Sequence, residues 1–285
     1  RETCIKMKKV VKYFKRLIKY VLYEHKQPII YTNVYEKSQN EIHLNKVYIV
    51  TGGGGGLGYY ITKSLISSGA TVIITGRNEE KLKKSCEELG KKCKYIKMDI
   101  RNIAESKEKL NKLFEQYEKI DGLINNAGIS LHEENILSVT EDSFDNQFDT
   151  NLKGAYFITQ EYIKLYIKNK QKNGNIIFIS SERGSMCDDI PYGLTKSAIN
   201  SLTSGLSRRY YKDGIRVNAI APGVTCSDLT KYDKTSDLYS ENASGRIFVQ
   251  EEIAEVTNYI LSDYSKCISG EIINCDAGNH LPHYF

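Results

Sequence analysis

The chain has 285 residues, of which 40% are hydrophobic, and this is enough to bury the core of one α/β domain. Its formal net charge of +5 is unevenly placed, because residues 1–26 carry a net +7 and leave −2 for the remaining residues. A near-neutral body without a matching motif disfavours a nucleic-acid-binding protein. The seven cysteines contain no C-x-x-C pair, so we expect reduced thiols, no metal site and a cytoplasmic location.

The first predicted element is a basic amphipathic helix within residues 1–26. Apolar side chains from Met7 to Leu22 recur at i, i+3, i+4 and i+7 spacing, and lysines fill the other face. The lysines disfavour a cleaved secretion signal, and no apolar run reaches the about 18 residues of a membrane-spanning helix. Three roles stay open: peripheral contact with an anionic membrane at its inner face, packing on another subunit, or packing on the chain's own body.

We interpret residues 1–45 as this helix and a linker, and residues 46–285 as one folded domain. Short β-branched runs in the domain alternate with helix-like segments. This alternation predicts an α/β fold with a Rossmann-like, doubly wound parallel sheet and helices on both faces. The predicted strands are residues 46–51, 70–75, 93–97, 120–125, 174–180, 214–220 and 268–273.

Five consecutive glycines, Gly52 to Gly56, follow the first predicted strand and precede the first predicted helix of the domain. Nucleotides bind at this position in doubly wound sheets, because glycines let the backbone approach a pyrophosphate and the helix N terminus offers N–H donors. A plain strand-to-helix turn is the alternative, since glycine-rich turns are common.

Five motifs along the domain resemble those of the short-chain dehydrogenase/reductase family. They are T-G-x-x-x-G-x-G from Thr51 to Gly58, NNAG at 125–128, YGLTK at 192–196, IRVNAIAPG at 215–223 and SGEIINCDAG at 269–278. The resemblance covers residues 46 to about 279 and is strong because the motifs occur in the expected order. It implies a seven-stranded sheet, a nicotinamide cofactor, hydride transfer between a carbonyl and an alcohol, and a homotetramer.

The resemblance also implies a set of cofactor-binding residues. They are Thr51, Gly52, Gly56, Leu57, Gly58, Arg77, Asp99, Ile100, Asn126, Ala127, Gly128, Tyr192, Lys196, Pro222, Gly223, Thr225 and Ser227. After the second strand the chain reads Gly76-Arg77-Asn78, with no carboxylate to accept from a ribose 2′-hydroxyl. The Arg77 guanidinium can pair with a 2′-phosphate, so NADP(H) is favoured over NAD(H). The family often has a second basic residue in the glycine loop, where this chain has Gly55, and a merely solvated Arg77 is the alternative.

Four residues resemble the family's catalytic set: Asn151, Ser181, Tyr192 and Lys196. Hydride transfer to a carbonyl leaves an alkoxide that needs a proton, and the resemblance assigns its delivery to Tyr192. Lys196 lies four residues further along the same helix face; it would bind the nicotinamide ribose and, with the oxidised nicotinamide, lower the pKa of Tyr192. Ser181 would polarise the substrate oxygen, with Ser180 as the alternative, and Asn151 would hold a water for a proton relay.

Two segments are predicted to shape the substrate side. The loop between the catalytic serine and tyrosine is shorter than is common in the family. We expect its acids, Glu182, Asp188 and Asp189, to be solvated, and contact with a polar or cationic substrate group is the alternative. The predicted lid, about residues 225–248, is mostly polar, which favours a small polar alcohol or ketone such as a polyol, sugar or hydroxy acid. A 3-oxoacyl reductase-like enzyme and a cofactor-binding regulatory or scaffold protein are the alternative functions.

Overall fold

The computed structural model describes residues 38–227, 229–230, 232 and 238–282. The predicted amphipathic helix of residues 1–26 lies outside the described residues, and so do its proposed contacts. Lys37–Phe285 form one compact unit. Among the described residues, none of the helices combines the length and hydropathy that a bilayer crossing requires.

Seven parallel strands form a single sheet in this unit. In chain order they are β1 (Val47–Thr51), β2 (Thr71–Gly76), β3 (Cys93–Lys97), β4 (Gly122–Asn125), β5 (Gly174–Ile179), β6 (Ile215–Pro222) and β7 (Ile272–Cys275). Their order across the sheet is β3-β2-β1-β4-β5-β6-β7. The chain thus builds one half of the sheet outward from β1 and then returns to build the other half from β4. This confirms the doubly wound sheet and places its switch point between β1 and β4, where ligands bind in such folds.

Helices cover both faces of the sheet. They are α1 (Gly56–Ser67), α2 (Glu79–Leu89), α3 (Ile103–Gln116), α4 (Glu141–Gln147), α5 (Ala155–Lys168), α6 (Pro191–Tyr210) and α7 (Gln250–Leu261). A π-helical segment, Phe148–Gly154, joins α4 to α5. Successive residues of a strand point to opposite faces, so Ile176 and Phe178 of β5 belong to one apolar core while Ile177 and Ile179 belong to the other.

The seventh strand starts at Ile272, four residues later than predicted. Gly270 has φ +93°, which interrupts the extended backbone before the strand. The carbonyl of Ile268 accepts hydrogen bonds from the side chains of Arg216 and Asn218 on β6, at 3.0 Å each. Side chains of the neighbouring strand therefore help to anchor residues 268–271, and the regular strand starts after them.

His43 belongs to the stretch that the sequence assigns to the linker, yet its side chain is fully buried. Its Nε2 lies 3.0 Å from Asn258 Oδ1 on α7, and its Nδ1 lies 2.9 Å from the hydroxyl of Tyr48 on β1. Burial, helped by the charge of Lys46, lowers the pKa of His43 from 6.5 to about 4. The imidazole is therefore neutral near pH 7, and the folded unit includes residues before β1.

Candidate active site

The glycine loop between β1 and α1 borders a cleft of about 890 Å³ at the carboxyl edge of the sheet. Gly52 and Gly56 have φ values of +67° and +51°, a backbone region that favours glycine. A Cβ atom on Gly58 would lie 2.4 Å from the carbonyl oxygen of Gly52. The loop can therefore pack against the first turn of α1 only with these glycines, and the N terminus of α1 stays open to an anionic group.

Hydrogen bonds across the switch point hold this loop in place. Thr51 Oγ1, at the end of β1, accepts from the backbone N–H groups of Asn126 and Ala127 at 3.0 Å each. The Asn126 side chain donates in return to the carbonyl oxygens of Thr51 and Gly52, at 3.0 and 3.1 Å. The ends of β1 and β4 are thus joined by side chains, which fits a rigid cradle for a nucleotide.

Most of the predicted cofactor-binding residues line the cleft. These are Gly52, Gly56, Leu57, Arg77, Asn126, Ala127, Gly128, Tyr192, Lys196, Pro222, Gly223, Thr225 and Ser227. Thr51 and Gly58 lie behind the loop and support it. Asp99 and Ile100 are not among the lining residues. The Asp99 carboxylate accepts from Arg101 at 2.7 Å, a hydrogen bond that holds the pKa of Asp99 below its ordinary value. Ile100 is buried.

Three of the four predicted catalytic residues line the same cleft: Ser181 just after β5, and Tyr192 and Lys196 in the first two turns of α6. The Lys196 ammonium donates to the carbonyl oxygen of Ile179 at 2.8 Å and lies 5.5 Å from the centre of the Tyr192 ring. Ser180 is buried, and its hydroxyl donates to Asn200 at 2.6 Å. This contact supports Ser181, rather than Ser180, as the serine that meets the substrate.

The protein around Tyr192 acts on its pKa in both directions. Burial raises the pKa of Tyr192, and a hydrogen bond from Ser181 and the charge of Arg183 oppose this rise. Desolvation also lowers the pKa of Lys196 from 10.5 to about 8. The surrounding protein therefore favours the protonated phenol, and the lowering of the Tyr192 pKa by Lys196 together with the oxidised nicotinamide stays a prediction.

Asn151 lies in the π-helical segment and is buried, but it is not one of the cleft-lining residues. Its Oδ1 accepts from the backbone N–H of Ile129 and its Nδ2 donates to the carbonyl oxygen of the same residue, both at 2.8 Å. Gly128 separates it from the cleft, since a Cβ there would lie 3.4 Å from Asn151 Oδ1 and 3.6 Å from Lys196 Nζ. Asn151 therefore fixes the strand-end loop through both backbone groups of Ile129.

The acidic loop before α6 is not solvated as expected. Glu182 is only 7% exposed, and its carboxylate accepts from Asn279 Nδ2 at 3.0 Å. Burial raises the pKa of Glu182. The Asp188 carboxylate is buried against Arg183, with 2.6 Å between Oδ1 and Nη2. Only Asp189 is exposed, and the expectation is wrong for the other two acids. A distant residue, Asn279, contacts Glu182, and Arg183 of the same loop pairs with Asp188.

The charged or polar residues of the cleft that sequence reasoning missed include Lys81, His132, Glu133 and Arg183. Gln147 donates to Glu133 Oε1 at 2.6 Å, whereas no described residue bonds to the buried Oε2 atom. No sequence feature distinguishes His132 and Glu133 from ordinary loop residues. Lys81 does carry one, because it is a cation in the first turn of α2, where the helix dipole disfavours positive charge.

Comparison with known proteins places this geometry in a family. The family model described as short chain dehydrogenase matches residues 46–237. The 3-oxoacyl-(acyl-carrier-protein) reductase FabG of Aquifex aeolicus is 33% identical over 242 residues, which cover 82% of this chain and 96% of that protein.

Two solved structures share the fold over most of this chain. A 3-ketoacyl-(acyl-carrier-protein) reductase from Brucella melitensis complexed with NADH has a TM-score of 0.76 and 26% identity, covering 84% of this chain and 99% of its own. ElxO with NADP bound has a TM-score of 0.74 and 26% identity, covering 82% and 98%. These matches agree with the seven-stranded parallel sheet described above. The chain belongs to the short-chain dehydrogenase/reductase family and is an NAD(P)-dependent oxidoreductase acting on CH–OH groups.

Proposed function

We propose that this enzyme prefers NADP(H) and interconverts a carbonyl and an alcohol on a small polar substrate, such as a polyol, sugar or hydroxy acid. The observation that carries the proposal is the convergence of Ser181, Tyr192 and Lys196 on the cleft that the glycine loop borders. The buried carboxyl of Glu182 and the carboxyl of Glu133 give the same cleft a polar wall. A polar wall supports a hydroxyl-rich substrate, because its acceptors would lose hydrogen bonds beside a long apolar chain.

NADP(H) preference is supported by the end of β2. Arg77 lines the cleft there, and no carboxylate precedes it on the strand to accept from a ribose 2′-hydroxyl. A guanidinium can pair with a 2′-phosphate through two parallel hydrogen bonds.

The chemistry follows from the positions of three side chains. In reduction, the Tyr192 hydroxyl donates its proton to the substrate oxygen, and in oxidation the phenolate takes that proton back. The nicotinamide, when bound, supplies or accepts the hydride. Ser181 orients the substrate oxygen and stabilises the Tyr192 phenolate through its hydrogen bond. Lys196, anchored on the Ile179 carbonyl, holds its ammonium 5.5 Å from the centre of the Tyr192 ring.

The test is a cofactor titration followed by a substrate panel. We expect tighter binding of NADPH than of NADH by fluorescence titration, and then turnover of a polyol or keto-sugar with the tighter cofactor. Tyr192→Phe is the matched control, since it removes the proton donor and keeps the ring. Turnover by this variant equal to wild type would remove Tyr192 from the reaction, and no turnover by wild type of any substrate would favour a cofactor-binding scaffold protein.

Reduction of a 3-oxoacyl thioester is a second candidate function. It is favoured by the names of the curated relatives, three of which are 3-oxoacyl-(acyl-carrier-protein) reductases 31–33% identical to this chain. Acetoacetyl-CoA serves as the probe in the same panel. A kcat/KM for this thioester well above that of every polyol and keto-sugar would select this candidate over the first.

We also propose a homo-oligomer in the cytoplasm, as is typical of the family. Light scattering of the full chain after size exclusion measures its oligomeric state. Peripheral membrane contact through residues 1–26 stays a separate hypothesis, supported only by their charge and apolar periodicity. Cosedimentation of the full chain with vesicles of anionic lipid tests it, and lack of binding at low salt would contradict it.

A further inference from the structure

Two thiols contact each other where α2 leads into β3. Cys86, in the last turn of α2, donates from its Sγ to the Sγ of Cys93, the first residue of β3, at 3.1 Å. The sulfur atoms of a disulfide lie about 2 Å apart, so a relative movement of about 1 Å would bring this pair to bonding distance. None of Cys187, Cys267 and Cys275 contacts another thiol among the residues that the structure describes.

The backbone of a short turn holds these two cysteines together. Gly90 ends α2 with φ +83°, a region that favours glycine, and its N–H donates to the carbonyl oxygen of Cys86 at 2.9 Å. The N–H of Cys93 donates in turn to the carbonyl oxygen of Gly90 at 2.9 Å. Cys93 is also paired in register with Val72 of β2. The approach of the two sulfur atoms therefore follows from the turn and the sheet, and it does not depend on a bond between them.

The two sulfur atoms differ in access to solvent. Both cysteines border a surface groove of about 360 Å³, but Cys93 is only 4% exposed whereas Cys86 is half-buried. Lys83, Lys91 and Glu87 border the same groove, so its charged side chains are two cations and one acid. A small reagent can therefore reach Cys86 first, and the excess of positive charge favours an anionic reagent.

The reactivity of this site depends on the pair of thiols. Burial raises the pKa of Cys86, and the hydrogen bond to Cys93 and the charge of Lys94 oppose this rise. Burial raises the pKa of Cys93 as well. Because the thiolate is the attacking species, neither cysteine by itself is an activated thiol. Once one sulfur has reacted, however, the other lies close enough to attack it within the same molecule.

We propose that Cys86 and Cys93 form a reversible oxidation site whose oxidant is a low-molecular-weight disulfide such as glutathione disulfide. The Cys86 thiol gives its proton to water, and its thiolate attacks one sulfur of the reagent, whose other half leaves as a thiolate with the electron pair of the broken S–S bond. Cys93, deprotonated in the same way, attacks Cys86 Sγ and displaces the second half. The two cysteines lose two electrons and two protons, the reagent becomes two thiols, and excess thiol reverses both steps.

The bridge would join the end of α2 to the edge of the sheet. β3 is the outermost strand on its side and pairs only with β2 in the seven-stranded sheet. A disulfide stabilises the folded state mainly by restricting the unfolded chain, and the folded protein already holds the two sulfur atoms in contact. We therefore expect the equilibrium ratio of bridged to reduced protein to be at least about tenfold higher for the folded chain than for the chain in concentrated urea.

The test equilibrates the full chain in mixtures of reduced glutathione and glutathione disulfide, with and without concentrated urea. Free thiols are then blocked with N-ethylmaleimide, and the protein is digested with trypsin without reduction. Trypsin cuts after lysine, so the bridge should appear in mass spectra as the peptide 85–91 linked to a peptide that contains Cys93 and ends at Lys94. Dithiothreitol should separate the two peptides and restore both thiols.

Two variants and one internal control make the result decisive. Cys267→Ser is the matched control, because Cys267 is exposed, and it should form the bridge to the same extent as wild type. Cys93→Ala should trap glutathione on Cys86, and its absence there would overturn the order of attack. The exposed Cys187 reports that the oxidant is active. Glutathione on Cys187 without a link between Cys86 and Cys93 would overturn the proposal. An equal ratio of bridged to reduced protein with and without urea would also overturn it, because the fold would then contribute nothing.

Discussion

Replacing Lys196 by methionine should abolish turnover and yet stabilise the folded protein near neutral pH. Lys196 is 5% exposed, and burial lowers its pKa from 10.5 to about 8. A buried ammonium is therefore less favourable in the folded state than in the unfolded state. Methionine has a similar length and no charge, so it can fill the same space without that cost.

The size of the effect follows from the pKa difference. At about 1.4 kcal/mol per unit, the shift of Lys196 corresponds to about 3 kcal/mol of lost stability at any pH below 8. The variant also loses the hydrogen bond to the Ile179 carbonyl, which contributes about 1 kcal/mol. We therefore expect a net gain of about 2 kcal/mol in the free energy of unfolding at pH 7.

The sign of the pH dependence distinguishes this cause from others. Because the folded pKa is depressed, the native lysine loses its proton between pH 8 and 10.5 while the unfolded chain keeps it, so wild-type stability rises through this window. Urea denaturation of both proteins at pH 7 and pH 9.5, at equal protein concentration, should show the advantage of the variant shrinking by about 2 kcal/mol. The reasoning would be refuted if the free energies of unfolding of the two proteins differed by the same amount at both pH values. A variant less stable than wild type at pH 7 would also refute it.

Three other predictions concern single side chains. Ser181→Ala removes the hydrogen bond that lowers the pKa of Tyr192. The midpoint of the pH profile of kcat/KM for alcohol oxidation should therefore move to higher pH. An unmoved midpoint would show that Ser181 does not affect the pKa of Tyr192. Gly58→Ala places a Cβ 2.4 Å from the Gly52 carbonyl oxygen, and we expect about 1–3 kcal/mol lower stability in thermal denaturation together with weaker cofactor binding. Wild-type binding by this variant would show that the loop can shift. The pKa of His43 is about 4 in the folded protein and 6.5 in the unfolded chain, so the unfolded chain takes up a proton first as the pH falls. The free energy of unfolding should therefore fall by about 3 kcal/mol by pH 4. His43→Gln should therefore lose less stability than wild type between pH 7 and pH 4.5 in urea titrations, and an equal loss would contradict the assignment.

The order of strands and helices was readable from the sequence because each strand is a short β-branched run and each crossover has a helical period. β1 and β2 begin within one residue of their predicted starts. The start of β7 was misplaced, because the residues before it are held by Arg216 and Asn218, which lie 52 and 50 positions from Ile268 along the chain. Buried His43 was taken for linker for the same reason, since its partner Asn258 is distant in sequence.

Local motifs by themselves determined the family and the cofactor class of this protein, and they predicted its catalytic residues. The glycine loop and the Tyr192–Lys196 pair act through neighbours within about one helical turn, so their sequence spacing already sets their geometry. Only the tertiary structure decided which charged and titratable groups surround these motifs and how deeply each is buried. It buried Glu182 under Asn279, raised the pKa of Tyr192 by burial, and brought Lys81 of α2 into the space beside Gly55. Desolvation and side-chain approach depend on elements that are far apart along the chain, and folding alone brings them together.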